Sequence, residues 1–299
     1  MPTYLWITML ASLFFGTGAA LMKHGMAAKF PKISLTTLVT DIWSIFKTLL
    51  QSKTWLLGNL INFGGAFCMI QAQSQGDLSV VLPLGNLTSA FAVLFGVMFM
   101  SEKLRGGEWT GLAVLVSGAV MIGLSASKAT GEQGNMTNLV ILTGAFCVAI
   151  ALGLSSPRLF RWPSAEVAFA LSAGLCMGLG FLYLKTTTNL INVRVGQFSV
   201  LSGKSWAATL TMWPVLMVIV TNVVGYLLMQ AAFSHGRVSL ANPLITVITN
   251  MSPALGGMLV FGERINMLRG AGIAVIAAGT LILALSGEKV KAAEPAALE

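Results

Sequence analysis

Six amides stand inside long apolar runs: Asn62, Gln71, Asn86, Asn222, Gln230 and Asn250. An amide offers donors on its nitrogen and acceptor lone pairs on its oxygen. Among leucines and phenylalanines it does one of two things. It bonds to a neighbouring helix, a contact worth about 0.6–2 kcal/mol, or it lines a polar cavity. Polar groups at membrane depth are costly and mark function, so the set is read together as substrate-binding. Lys23 and Lys185 each close an apolar run. Each either reaches out to the interface or presents a cation to an anionic substrate. Glu102 and Glu263 follow two further runs, each beside a basic residue, as loop ion pairs or as gates. Pro83 and Pro243 fall in the first turns of two predicted helices, where proline either starts a helix or bends it as a hinge.

Other chemistry finds little material. Cys68, Cys147 and Cys176 lie far apart in apolar runs, and His24 and His235 are near neither them nor each other. These spacings match no zinc motif and no disulfide framework. There is no phosphate loop and no nucleophile elbow, so an enzyme is not expected and no cofactor is implied. No carboxylate lies deep in an apolar run, although hard divalent cations usually take oxygen ligands of that kind. A metal site is left unassigned.

The elements that must position these residues are membrane helices. Of 299 residues, 56% are hydrophobic and 9% charged, with mean hydropathy +0.82. A soluble domain carries roughly a quarter charged residues, so the bilayer is the natural solvent. The net charge of +8 is scattered singly between apolar runs. It reports topology and gives no basic stripe for nucleic acid. About 20 apolar residues cross the hydrocarbon core. Nine segments meet that length: 3–23, 54–74, 78–100, 107–126, 136–156, 164–184, 210–232, 238–261 and 267–286. Between Ser34 and Ser52, Leu35, Leu38, Val39, Ile42, Ile45, Phe46, Leu49 and Leu50 fall at helical spacing. The opposite face holds Asp41 and Lys47, which suits an interfacial helix over 34–52, with a tenth span as the alternative. Residues 287–299 read as a disordered tail.

The chain also repeats itself. Asn62, Gly65, Gly76, Ser79, Pro83 and Leu84 recur 160 residues later as Asn222, Gly225, Gly236, Ser239, Pro243 and Leu244. Glu102, Gly111 and Gly118 recur as Glu263, Gly272 and Gly279. Gly16, Gly18 and Lys23 recur as Gly178, Gly180 and Lys185. The expected organisation is a first repeat at 1–127, a linking span at 128–160 and a second repeat at 161–286. Equivalent spans are five apart. An odd step reverses direction, so the repeats are inverted, a recurrent transporter plan. The loops on the N-terminal side carry six Lys and Arg against twelve on the other. The richer side belongs in the cytoplasm, which puts the N-terminus outside and the C-terminus inside. The expected location is a bacterial inner (cytoplasmic) membrane.

These residues carry a resemblance. Gly16 to Lys23, Gly76-x-x-Ser79, Pro83-Leu84, Ser101-Glu102-Lys103-Leu104 and Gly262-Glu263-Arg264-Ile265 resemble the drug/metabolite transporter superfamily of EamA type, over 3–286. That resemblance implies a secondary carrier with inverted repeats around a central cavity. The chain departs from the ten-helix pattern, because the second helix of each half is reduced and a linking helix is added. The nine-span plan, with Trp55-Leu56-Leu57-Gly58 leading to Leu82-Pro83-Leu84-Gly85, is similar to NIPA-type magnesium transporters. The second half, with Asn242-Pro243-Leu244, reads as general EamA. The expectation is an all-α polytopic bundle acting as a secondary active transporter of a small polar metabolite by alternating access. The alternative is a magnesium transporter or channel. The expected partners are a small-molecule or ion substrate and the lipid bilayer, with a homodimer admissible and no nucleic acid.

Overall fold

The computed structural model describes residues 2–27, 51–100, 104, 106–126, 134–160, 165–196, 198–235 and 238–293. Every regular element among them is helical: α1 Thr3–Ala27, α2 Lys53–Gln75, α3 Leu78–Gly85, α4 Leu87–Met100, α5 Gly106–Ser125, α6 Met136–Phe160, α7 Ala165–Val195, α8 Gly203–Leu210, α9 Trp213–His235, α10 Val238–Phe261 and α11 Met267–Ala293. The protein is an integral membrane protein. Among the described residues, six stretches are long and apolar enough to cross, or seven if the bent pair of α8 and α9 counts as one. The sequence reading expected nine. α2 falls short because Asn59, Asn62, Gln71, Gln73, Ser74 and Gln75 dilute its apolar content. The apolar part of α11 is only Met267–Leu283.

Local chemistry explains several boundaries. Ser52 caps α2, its hydroxyl accepting from the Trp55 amide at 3.4 Å. Pro83 sits inside α3. Its ring nitrogen has no hydrogen to give to the turn before it, and the helix breaks three residues on, at Asn86. The Asn86 side chain closes the break by donating to the Pro83 carbonyl at 3.1 Å. α10 runs through Pro243 without interruption. α7 continues well past the expected end at 184. Thr186, Thr187 and Thr188 return their hydroxyls to the carbonyls of Leu182, Tyr183 and Lys185, so their polarity is satisfied inside the helix. The stretch 187–206 holds the end of α7 and the start of α8. α8 meets α9 at 78°.

One expectation changes at the C-terminus. α11 reaches Ala293, so 287–293 is helical where a tail was expected. Its Glu, Lys and Ala residues are good helix formers. Residues 294–299 and the body of the 34–52 segment lie outside the described residues.

The helices pack in a definite scheme. α1 lies along α2 and α4, and α7 lies along α9 and α10. α5 and α11 pair along much of their length, while α3 sits against α10. α6 touches chiefly α7 and turns most of its surface outward.

Candidate functional site

A cavity of about 480 Å³ lies between α1, α2, α3, α4, α7, α9 and α10. Phe15, Met69, Leu82 and Phe181 form part of its apolar wall. Its polar lining is Gln73, Asn86, Thr88, Ser89, Asn222, Thr246 and Asn250. Three of the six amides singled out in the sequence therefore converge. The break between α3 and α4 brings Asn86 to the cavity. There its oxygen accepts from the Asn250 nitrogen at 2.7 Å. Asn222 donates to the Val218 carbonyl of its own helix at 2.8 Å.

The other amides go elsewhere. Asn62 packs over Gly18 and donates to the Met22 sulfur at 3.0 Å, a helix-to-helix contact between α2 and α1. Gln71 pins a loop: it donates to the Phe198 carbonyl at 3.2 Å and accepts from the Val200 amide at 3.0 Å. The side chains of Gln230, Lys23 and Pro243 and the whole of Glu102 lie outside the described residues.

The sequence reading passed over Gln73. It lines the cavity, is 0% exposed, and neither atom of its amide has a partner among the described residues. Leaving a buried polar group unmatched costs about 1–3 kcal/mol. The only sequence signal was its place two residues after Gln71.

A buried ionic clamp holds α7, the α10–α11 joint and α11 to the junction of α2 and α3. Lys185 was expected to end its span, and instead lies well inside α7, 4% exposed. Its ammonium donates to the carbonyl of Gln73 and, at 2.6 Å, to that of Gly76. The first lies in the last turn of α2, at the negative end of the helix dipole, and the second on its C-cap. Glu263, 5% exposed, does the opposite at the start of α3. Its two carboxylate oxygens accept from the amides of Leu78 at 2.7 Å and Ser79 at 2.9 Å, where a negative charge is favoured. Between them, Arg269 donates to Asp77 and to the Ser79 hydroxyl, each at 3.1 Å. Asp77 and Arg269 were not singled out in the sequence, because each stands at a helix end where an exposed charge is ordinary.

Burial pushes the Glu263 carboxyl above its ordinary 4.5, with Asp77 acting in the same direction; the bonds from Ser79 and Leu78 pull it back. A carboxyl raised on folding gives stability that is fully present below 4.5 and is lost as pH rises through the folded value. Glu263→Gln should therefore flatten the fall in melting temperature between acid and neutral pH. An unchanged slope in thermal melts would count against this environment.

Among the described residues, no three His, Cys, Asp or Glu side chains come together as metal ligands. The site's chemistry is amide, hydroxyl and carbonyl.

No protein-family model matches the chain, and no solved structure matches it significantly. Two curated proteins are similar to it. One is the probable magnesium transporter NIPA9 of Arabidopsis thaliana, 22% identical over 307 residues, which covers 95% of this chain and 83% of that protein. The other is an uncharacterized transporter in the cobO 3′ region of Sinorhizobium sp, 32% identical over 76 residues, which covers 24% of this chain and 54% of that protein.

Proposed function

We propose that this chain is a secondary transporter that moves a small polar solute by alternating access between two inverted halves, 1–127 and 161–286. The observation that carries this reading is the amide-lined cavity. It is built from helices of both halves and closed at one end by charges of one half gripping the backbone of the other. Repeat-equivalent residues make equivalent contacts, which supports the duplication. Gly18 meets Asn62 as Gly180 meets Asn222, and Gly16 meets Phe91 as Gly178 meets Ser252. Lys185 and Glu263 close one end, and the repeat assigns the same work to Lys23 and Glu102 when the other end closes. Pro83 and the break after it supply the bending point; Pro243 is its counterpart in the repeat.

A small polar metabolite is the reading drawn from the amides. A lean toward anions loses support, since Lys185 is occupied by carbonyls. One observation favours magnesium as the solute: similarity to a probable magnesium transporter runs along nearly the whole chain. Purified protein in proteoliposomes tests both. Saturable flux is expected, and Asn250→Leu should lower it. A magnesium-sensing dye inside the vesicles separates the ion from exchange of labelled metabolites. A leak linear in concentration for every solute would refute the transporter reading.

A further inference from the structure

Gln73 is a polar group without a counterpart. It is 0% exposed, and neither the oxygen nor the nitrogen of its amide has a hydrogen bond among the described residues. Its main chain is pinned: the Gln73 carbonyl accepts from the buried Lys185 ammonium, in the last turn of α2. A buried unmatched amide costs stability. A scaffold that holds one against a cavity reserves it for an occupant. Asn222 and Asn250 line the same space, and each has committed one N–H, to the Val218 carbonyl and to the Asn86 oxygen. Each nitrogen carries a second hydrogen, and each oxygen carries lone pairs. The cavity thus offers donors and acceptors side by side. Among the described residues no ionised side chain lines it, and Phe15 and Phe181 stand in its apolar wall. A charged solute would find no counter-charge in that lining.

We propose that Gln73 is a binding residue for an uncharged solute bearing a primary carboxamide. The carboxamide oxygen accepts from the Gln73 nitrogen, and the carboxamide nitrogen donates to the Gln73 oxygen. This rests on the transporter reading and deepens it. Two parallel bonds need a partner with a donor and an acceptor on one edge, as when a glutamine reads adenine by two bonds at once. A ketone matches only half of the Gln73 amide. A carboxylate sets its own lone pairs against the Gln73 oxygen. Phe15 and Phe181 supply apolar surface for the rest of the solute.

The test is thermal melting of the full-length protein with nicotinamide and benzamide. Each is compared with its methyl ketone, 3-acetylpyridine or acetophenone, which keeps the shape and loses the N–H donors. At least one carboxamide should raise the melting temperature, as a ligand of the folded state must. Its ketone should bind about tenfold or more weakly, the loss of one hydrogen bond with its partner left unmatched. Gln73→Met keeps the side chain's length and removes both polar atoms. Without solute it should melt a few degrees higher, the reverse of a residue kept for packing. It should also bind carboxamide and ketone alike. If this variant does not fold, the wild-type comparison decides. The proposal is overturned if neither carboxamide stabilises the protein, or if the ketones match the carboxamides. It is also overturned if folded Gln73→Met melts lower or keeps the preference, since the amide is then already matched, as by a buried water. If the carboxamides fail while proteoliposomes show saturable flux of another solute, the Gln73 assignment falls and transport stands. Carboxamide binding without saturable flux of any solute leaves the Gln73 site and refutes transport.

Discussion

Arg269→Leu is expected to destabilise the protein by about 3–5 kcal/mol, the usual result of removing one partner from a buried ion pair. Arg269 is 2% exposed, and its guanidinium is the bonded partner of both Asp77 and Ser79. Without it the Asp77 carboxylate stays in the low-dielectric interior without its bonded guanidinium. The double variant Asp77→Leu/Arg269→Leu should recover most of the loss, because replacing both members by apolar side chains is often close to neutral. Denaturant unfolding of the three proteins decides it. A loss under about 1 kcal/mol for the single variant would match a solvated pair instead. Transport should separate from stability: the double variant should fold and yet show lower uptake in proteoliposomes.

Gly118→Leu should be damaging by a different route. α5 and α11 approach so closely that a Cβ on Gly118 would stand 2.8 Å from the Ile276 nitrogen and 2.9 Å from the Gly272 oxygen. The arrangement is reciprocal. A Cβ on Gly272 would stand 3.1 Å from the Gly118 oxygen, and one on Gly279 would stand 2.5 Å from the Leu115 nitrogen. Overpacking usually costs about 1–3 kcal/mol. Here the obstacle is main chain, which no rotamer change relieves, so the upper end or beyond is expected. Gly123 lies on the same helix with nothing within 4 Å. Gly123→Ala should be harmless or add about 0.5–1 kcal/mol. Equal melting temperatures for the two variants would mean that the helices do not touch as described.

The sequence was most readable where one residue type acts through its own helix. Apolar runs located α1, α5, α6, α9 and α10 closely. Asn86, Asn222 and Asn250 could be picked out because an amide is conspicuous among apolar neighbours. What stayed hidden was partnership across the fold. Lys185 looked like an interfacial lysine because no local pattern reveals that carbonyls 109 and 112 residues earlier will meet it. Gln73 and Gln71 are two positions apart, so they point to different sides of α2; one lines the cavity and the other holds a loop. Arg269 sits three residues into a helix, where only tertiary packing decides between water and burial. The length of α7 was underestimated because three threonines read as polar until their hydroxyls are seen bonded to their own helix.

The clamp also bears on how the chain is made. Its bonds join residues 78 and 263, 185 positions apart, and residues 77 and 269, 192 apart. At roughly 5–20 residues per second of synthesis, on the order of ten to forty seconds separate the two sides of the contact. Through that interval the start of α3 is without the carboxylate that caps it, and Asp77 is without its arginine. The early helices must therefore wait in the insertion machinery or at the membrane surface in an arrangement other than the finished one. Seating of α3 must wait for Glu263 and for α11, which carries Arg269.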